Sequence, residues 1–141
     1  MNIRRLAHGL AVAATAVTCV TTMGTSAAHA ATPTCSTTVS YTTVHGFTAR
    51  IPASGTNVSC VLASGNSGIA VKALQSSLNE CYGERLDADG AFGSNTQAAL
   101  KRAQSQEGVL TDGVYGPRTR DALHWRVVGF ACDRVDGPGG L

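Results

Sequence analysis

Apolar positions change period along the chain, and the change divides it. Thr37 to Val44 and Phe47 to Pro52 alternate polar and apolar residues, the two-residue period of strands, with His45-Gly46 placed to turn between them. The expectation for residues 31–59 is thus a short β-hairpin, with an irregular arm as the alternative, because an isolated hairpin is only marginally stable. Further on, Val71, Leu74 and Leu78 fall at helical spacing, with Gly65 to Gly68 as a loop before them and Gly83 placed to cap the end. A second helix is predicted from Ser94 to Gln106, with Ala99, Leu100 and Ala103 inward and Gly108 as a stop. A third is predicted from Pro117, a favoured first helical residue, to about Arg126, with Ala122 and Leu123 inward.

Two stretches repeat in register. Asp89-Gly90-Ala91-Phe92-Gly93-Ser94-Asn95-Thr96 returns as Asp112-Gly113-Val114-Tyr115-Gly116-Pro117-Arg118-Thr119, and the offset holds for Ala99/Ala122 and Leu100/Leu123. Asp-Gly makes a tight turn. The aromatic that follows can enter the core, the next Gly ends the loop, and Thr sits in the first turn of a helix. Gln75 and Gln104 are placed to hydrogen-bond loop backbone.

The N-terminus has its own pattern. Arg4 and Arg5 precede an apolar run, Leu10 to Val20, and Ala28-His29-Ala30 puts small residues where a signal peptidase cuts. The run is shorter than a spanning helix requires. Residues 1–30 are expected to be a secretory signal, which makes the protein secreted, with no membrane contact after cleavage. Its removal takes Arg4 and Arg5 from a chain of 11 Lys+Arg and 9 Asp+Glu, leaving a balanced charge. No basic run remains to serve nucleic acid or anionic lipid. Cys35, Cys60, Cys81 and Cys132 remain after Cys19 leaves, an even number in a small exported domain. Two disulfides are expected, with three pairings open.

The sequence argues against several chemistries. The Asp87 to Gly90 stretch fails the calcium-loop frame, which needs a glutamate at its twelfth position. Only His45 and His124 remain for a catalytic zinc, which needs about three protein ligands. Glu80, Glu84, Asp87 and Asp89 cluster near one loop but are expected to be solvated rather than a hydrolytic pair. No Gly-x-Ser-x-Gly elbow is present. The expectation is a protein that is not an enzyme and carries no cofactor or metal.

From Leu62 to Leu123 the chain resembles the peptidoglycan-binding-like domain family of bacterial cell-wall proteins. The resemblance rests on Gly65, Gly68, Val71, Leu74-Gln75, Leu78, Asp89-Gly90, Phe92-Gly93, Thr96, Ala99, Gln104, Gly108, Asp112-Gly113, Gly116 and Thr119. Ala103 departs from it, where the family commonly has a larger apolar residue. The resemblance implies a compact three-helix bundle, so the expected fold is mainly α with the domain at residues 60–132; the short N-terminal β-like arm before it and a flexible tail at 133–141 lie outside the resemblance. It implies a secreted, cell-wall-associated binding module whose partner is peptidoglycan, through sugar or stem peptide. An exported wall hydrolase is a second candidate partner. The alternative is an inhibitor or propeptide-like partner of an exported enzyme, since metalloproteinase propeptides resemble the same bundle. The candidate ligand residues are Tyr82, Asp112, Gly113, Tyr115 and Arg118. Aromatic faces stack on sugars, Arg grips carboxylates, and the start of the third helix offers backbone donors beside Arg118. Arg120 is a further candidate, whereas Arg134, in the tail, is expected to be inert.

Overall fold

The computed structural model describes residues 31–129 and 131–135. The expected signal at 1–30 lies outside the described residues, as do 130 and 136–141. The elements run β1 (Thr37–Thr42), β2 (Thr48–Ala53), α1 (Ile69–Tyr82), α2 (Ser94–Gln106), α3 (Pro117–Ala122), β3 (His124–Arg126) and β4 (Cys132–Arg134). The mainly α expectation is therefore corrected. Among the described residues, three helices stand with two two-stranded antiparallel sheets, β1-β2 and β3-β4. Of those residues, helix accounts for 32% and strand or β-bridge for 28%.

The hairpin forms because one side of β2 is apolar. Ala49 and Ile51 are fully buried and lie opposite Tyr41 and Val39 of β1. Its turn spans Thr43 to Phe47, longer than the expected two residues, closed by Thr43 N–H to Phe47 O at 2.8 Å and Gly46 N–H to Thr43 O at 2.9 Å. The hairpin does not stand apart from the helices. Ala49 and Ile51 join Leu74, Leu78, Leu100 and Trp125 in one core. β-bridges tie Thr34 to Val61, Thr43 to Val135 and Ala49 to Val127.

α1 and α2 follow their sequence pattern. α1 buries Ala70, Val71, Leu74 and Leu78 and ends at Gly83, whose N–H bonds Leu78 O. α2 buries Ala99, Leu100 and Ala103. The third helix is shorter than predicted. It stops at Ala122, and Leu123 turns into an extended conformation. Trp125 explains the break. Its ring is fully buried, it meets Tyr115 edge-on at 5.8 Å, and its Nε1–H donates to Arg120 O at 2.9 Å. The indole thus satisfies a carbonyl that the helix end leaves open. His124, expected to close that helix, starts β3 instead.

The tail boundary is corrected too. β4 runs across residue 132, pairing Trp125 with Asp133 and His124 with Arg134. Asp133 is buried because it anchors the hairpin turn. Its carboxylate accepts from His45 N–H at 3.2 Å and meets His45 Nδ1 at 2.8 Å.

The disulfides pair Cys35 with Cys60 and Cys81 with Cys132. One joins the lead-in to β1 to the chain after β2. The other joins α1 to β4. Arg120 reinforces the first join. It is fully buried, its Nη1 donates to Val58 O at 3.0 Å, and its Nε and Nη2 lie 2.7 and 2.6 Å from Asp121 Oδ1. It serves the fold rather than a ligand.

Both disulfides lead to one prediction. Under denaturing, non-reducing conditions, an alkylating agent should add to none of Cys35, Cys60, Cys81 and Cys132, as read by mass spectrometry. Reduction should lower unfolding stability by about 2–5 kcal/mol, the usual cost for a small secreted domain.

Candidate ligand-binding face

Two buried glutamines build this face. Gln75 projects from α1 into the Asp89-Gly90 loop. Its Oε1 accepts Gly90 N–H at 2.9 Å, and its Nε2 faces Asp89 Oδ1 at 3.2 Å, Ala91 O at 3.0 Å and Thr96 Oγ1 at 3.0 Å. Gln104 projects from α2 and does the same for the next loop. Its Oε1 accepts Gly113 N–H at 2.8 Å, while Nε2 faces Asp112 Oδ1 at 3.0 Å, Val114 O at 2.9 Å and Thr119 Oγ1 at 3.1 Å. Each Asp also accepts the N–H two residues on, at 2.8 Å for Ala91 and 2.9 Å for Val114.

Gly90 and Gly113 are required by position. Both hold positive φ, +82° and +73°. A Cβ at Gly90 meets Gly68 O at 2.9 Å, and one at Gly113 meets Gln97 Cγ at 2.7 Å. The first clash is with backbone and cannot relax cheaply.

The sequence-expected residues separate into two groups. Asp112 and Arg118 are exposed and line a shallow groove of about 650 Å³ with Val109, Leu110, Pro117 and Thr119. Leu110 is 76% exposed there. Gly113 is buried beneath this face, and its N–H is taken by Gln104. Tyr115 is not on the face. It has no exposed surface and packs on Trp125, so its hydroxyl does not reach solvent. Burial pushes its phenol well above the ordinary value. Tyr82 is half-buried and already engaged, donating to Glu107 Oε1 at 2.8 Å and accepting His124 N–H at 2.8 Å. The backbone donors expected at the third helix do not make an anion site, since α3 has six residues and opens on Pro117, which has no N–H.

Sequence reading missed Glu107. Besides Tyr82, its carboxylate meets His124 Nδ1 at 3.0 Å and accepts from Arg134 Nη2. Arg134, expected to be inert, thus holds β4 to the end of α2. Burial opposes ionisation of Glu107, but the bonds from Tyr82 and His124, with the nearby His124 and Arg134 charges, outweigh it and hold the carboxyl below the usual glutamate range. Nothing local in the sequence marks Glu107, because its partners lie far away in the chain. Leu110 had a signal: it is apolar yet falls after the Gly108 stop, outside any buried stripe.

Two acids near the first loop are also engaged. Glu84 accepts two bonds from Arg102, at 2.7 and 2.6 Å. Asp89 is held by Ala91 N–H and Gln75, which keep its carboxyl below the ordinary range. No group of three or more His, Cys, Asp or Glu side chains that could hold a metal occurs among the described residues.

Residues 67–123, both Gln-held loops included, match the family model described as a putative peptidoglycan binding domain. That segment is a peptidoglycan-binding domain. The chain is also similar to N-acetylmuramoyl-L-alanine amidase CwlL of Bacillus licheniformis, at 37% identity over 57% of this chain and 23% of that protein. It is 40% identical to the zinc D-Ala-D-Ala carboxypeptidase of Streptomyces albus G over 45% of this chain and 26% of that protein. The chain thus spans about a quarter of the length of these relatives. Among solved structures, it is similar to a peptidoglycan-binding protein from Clostridioides difficile in complex with glutamine hydroxamate. That match has 28% identity and a TM-score of 0.46, over 58% of this chain and 53% of the other.

The peptidoglycan-binding domain yields two predictions. Gln104→Ala leaves Gly113 N–H and Val114 O without their buried partner and should destabilise by about 1–3 kcal/mol. Gln104→Glu should cost more, because it loses the donor and sets a carboxylate against Asp112. Denaturant unfolding checks both. Glu107 has a lowered folded pKa, so its contribution is present above the ordinary glutamate value of about 4.3 and is lost as pH falls through the lower folded value. The melting-temperature gap between wild type and Glu107→Gln should therefore narrow as pH drops below about 4.3.

Proposed function

We propose that this protein is a secreted, non-catalytic binder of cell-wall peptidoglycan. The observation that carries the reading is the match of residues 67–123 to a peptidoglycan-binding domain, with an exposed groove beside its second loop. The signal pattern expected over residues 1–30 and the two disulfides support action outside the cell. Glu80, Glu84 and Asp89 near the first loop are tied into ion pairs and loop bonds, which supports binding without hydrolysis. The loops at Asp89 and Asp112 read as two copies of one unit, each gripped by a glutamine, with the ligand meeting the second.

Arg118 is the residue proposed to meet the ligand, as a cation for a stem-peptide carboxylate. Asp112 and Leu110 form the rest of the surface. Tyr115 is not part of it, and Tyr82 serves the Glu107 cluster. The propeptide-like alternative requires a thiol to reach a partner's zinc, and Cys35, Cys60, Cys81 and Cys132 are all paired. An exported wall hydrolase remains a proposed partner, on the ground that the similar proteins include an amidase and a carboxypeptidase.

Co-sedimentation with purified insoluble peptidoglycan tests the proposal, run beside dye release from the same material. The expected outcome is binding without release. Arg118→Ala should weaken binding by about 1–3 kcal/mol, the range for a charged hydrogen bond, and leave the melting temperature unchanged. Wild-type binding by that variant removes Arg118 from the site. Dye release lost on Glu84→Gln or Asp89→Asn makes the protein a hydrolase instead.

A further inference from the structure

A second groove lies away from the Gln-held loops. It has a volume of about 540 Å³ and runs between the hairpin, the first half of α1 and the turn from β3 to β4. Its walls are cross-linked. The Ala49–Val127 bridge joins β2 to the end of β3, Arg126 N–H bonds Ser77 Oγ at 3.3 Å, and the Cys81–Cys132 disulfide locks α1 to β4. The hairpin and turn that form two of its sides lie outside residues 67–123.

Its chemistry is one-sided. Arg50, Lys72 and Arg126 line it, and among the described residues no Asp or Glu does. Arg126 is paired with Glu80 at 3.3 Å. Arg50 donates to Thr38 Oγ1 at 2.9 Å, and neither Arg50 nor Lys72 meets a carboxylate among the described residues. Ile69 and Val128 line the same groove at 54% and 86% exposure. In a chain of nearly balanced charge, cations and apolar side chains gathered in one groove suit a short ligand bearing carboxylates and small apolar groups.

We infer that this groove binds the acidic stem peptide of peptidoglycan, with Arg50 and Lys72 on its carboxylates and Ile69 and Val128 on its methyl groups. The inference rests on the wall-binding reading, because a domain held on peptidoglycan meets stem peptides at high local concentration. The volume suits a few residues rather than a glycan strand. The hairpin then has a role: it turns a one-site wall domain into one with two points of attachment.

The test uses the whole secreted chain and a soluble synthetic tetrapeptide, L-Ala-γ-D-Glu-meso-diaminopimelyl-D-Ala, with titration followed by calorimetry. The peptide should bind, and Arg50→Ala and Lys72→Ala should each weaken it about tenfold, the effect of losing one charged hydrogen bond. Val128→Asp, at an exposed position, should weaken it by repulsion with no change in melting temperature. The same peptide with its carboxylates amidated should not bind. Arg118→Ala should remove only the peptide binding that the second-loop face supplies and lower co-sedimentation with insoluble wall, while the binding lost in the Arg50→Ala/Lys72→Ala double variant stays in place. Absence of binding, or equal binding by wild type and the Arg50→Ala/Lys72→Ala double variant, overturns the inference without touching the proposed wall binding. Loss of peptide binding in Arg118→Ala alone places the peptide on the other face and also overturns it. Equal binding of an all-L acidic tetrapeptide of the same charge makes the occupant a protein segment, contrary to the inference.

Discussion

The binding domain depends on two side-chain amides that do the work of backbone. Gln75 and Gln104 each present one acceptor to a glycine N–H and one amino group to a carboxylate, a carbonyl and a hydroxyl. An amino group has two hydrogens, so the three acceptors share them in three-centre fashion. Both glutamines are essentially inaccessible to water, where polar groups left unpaired are costly and paired ones are strong. The loops therefore have one conformation, and α2 and α3 begin where the loops direct them. Gly90 and Gly113 complete the arrangement by letting the backbone come within reach of the amides.

A bundle in which α3 has only six residues buries little on its own, and the added β elements make up the deficit. The hairpin contributes Ala49 and Ile51, and the C-terminal pair contributes Trp125 and Val127. The hairpin, and the C-terminal pair where it meets α1, are far in sequence from the helix they cover, so each join needs a fastener. Cys35–Cys60 and Cys81–Cys132 supply two. Arg120 supplies a third from inside the core, reaching Val58 O. Asp133 supplies a fourth at the hairpin turn, its carboxyl held far below the ordinary value: burial opposes ionisation, and the bonds from Thr43 and His45 outweigh it. Small exported domains commonly need such cross-links because their cores are limited.

The legible parts of this fold were those set by neighbours in sequence. The bounds of α2, the Gly83 cap of α1, the hairpin strands and the cysteine parity all follow from local pattern, as does the burial of Phe92. The rest depended on distant partners. Leu123 looks like the inner face of a continuing helix, yet Trp125 finds Tyr115 and the Arg120 carbonyl, and the chain turns to β3. Residues 133 and 134 look like a tail, yet the bond from Cys132 to Cys81 and the pull of His45 on Asp133 make them part of a strand. By sequence Tyr115 is at once a ring that can enter the core and a candidate to meet a ligand. Only Trp125, ten residues on, decides that the whole side chain is enclosed. Of the candidate residues, Asp112 lies on the surface of the second loop and Gly113 beneath it, while Arg118 is exposed beside it in the first turn of α3.

Rigidity connects these features to binding. Ordering a loop on association costs free energy that must be taken from the contacts made. Here the loop beside Arg118 is ordered beforehand by Gln104, and Asp112 spends one carboxylate oxygen on that task. Leu110 stays exposed at the groove's edge, where a free apolar side chain has no role in the core. The same logic applies on the far side, where Val127 is buried and bridged to Ala49 while its neighbour Val128 remains in solvent. Exposed apolar residues scattered singly are ordinary. Placed beside cations on walls cross-linked to the core, they suit the ligand contacts proposed for these grooves.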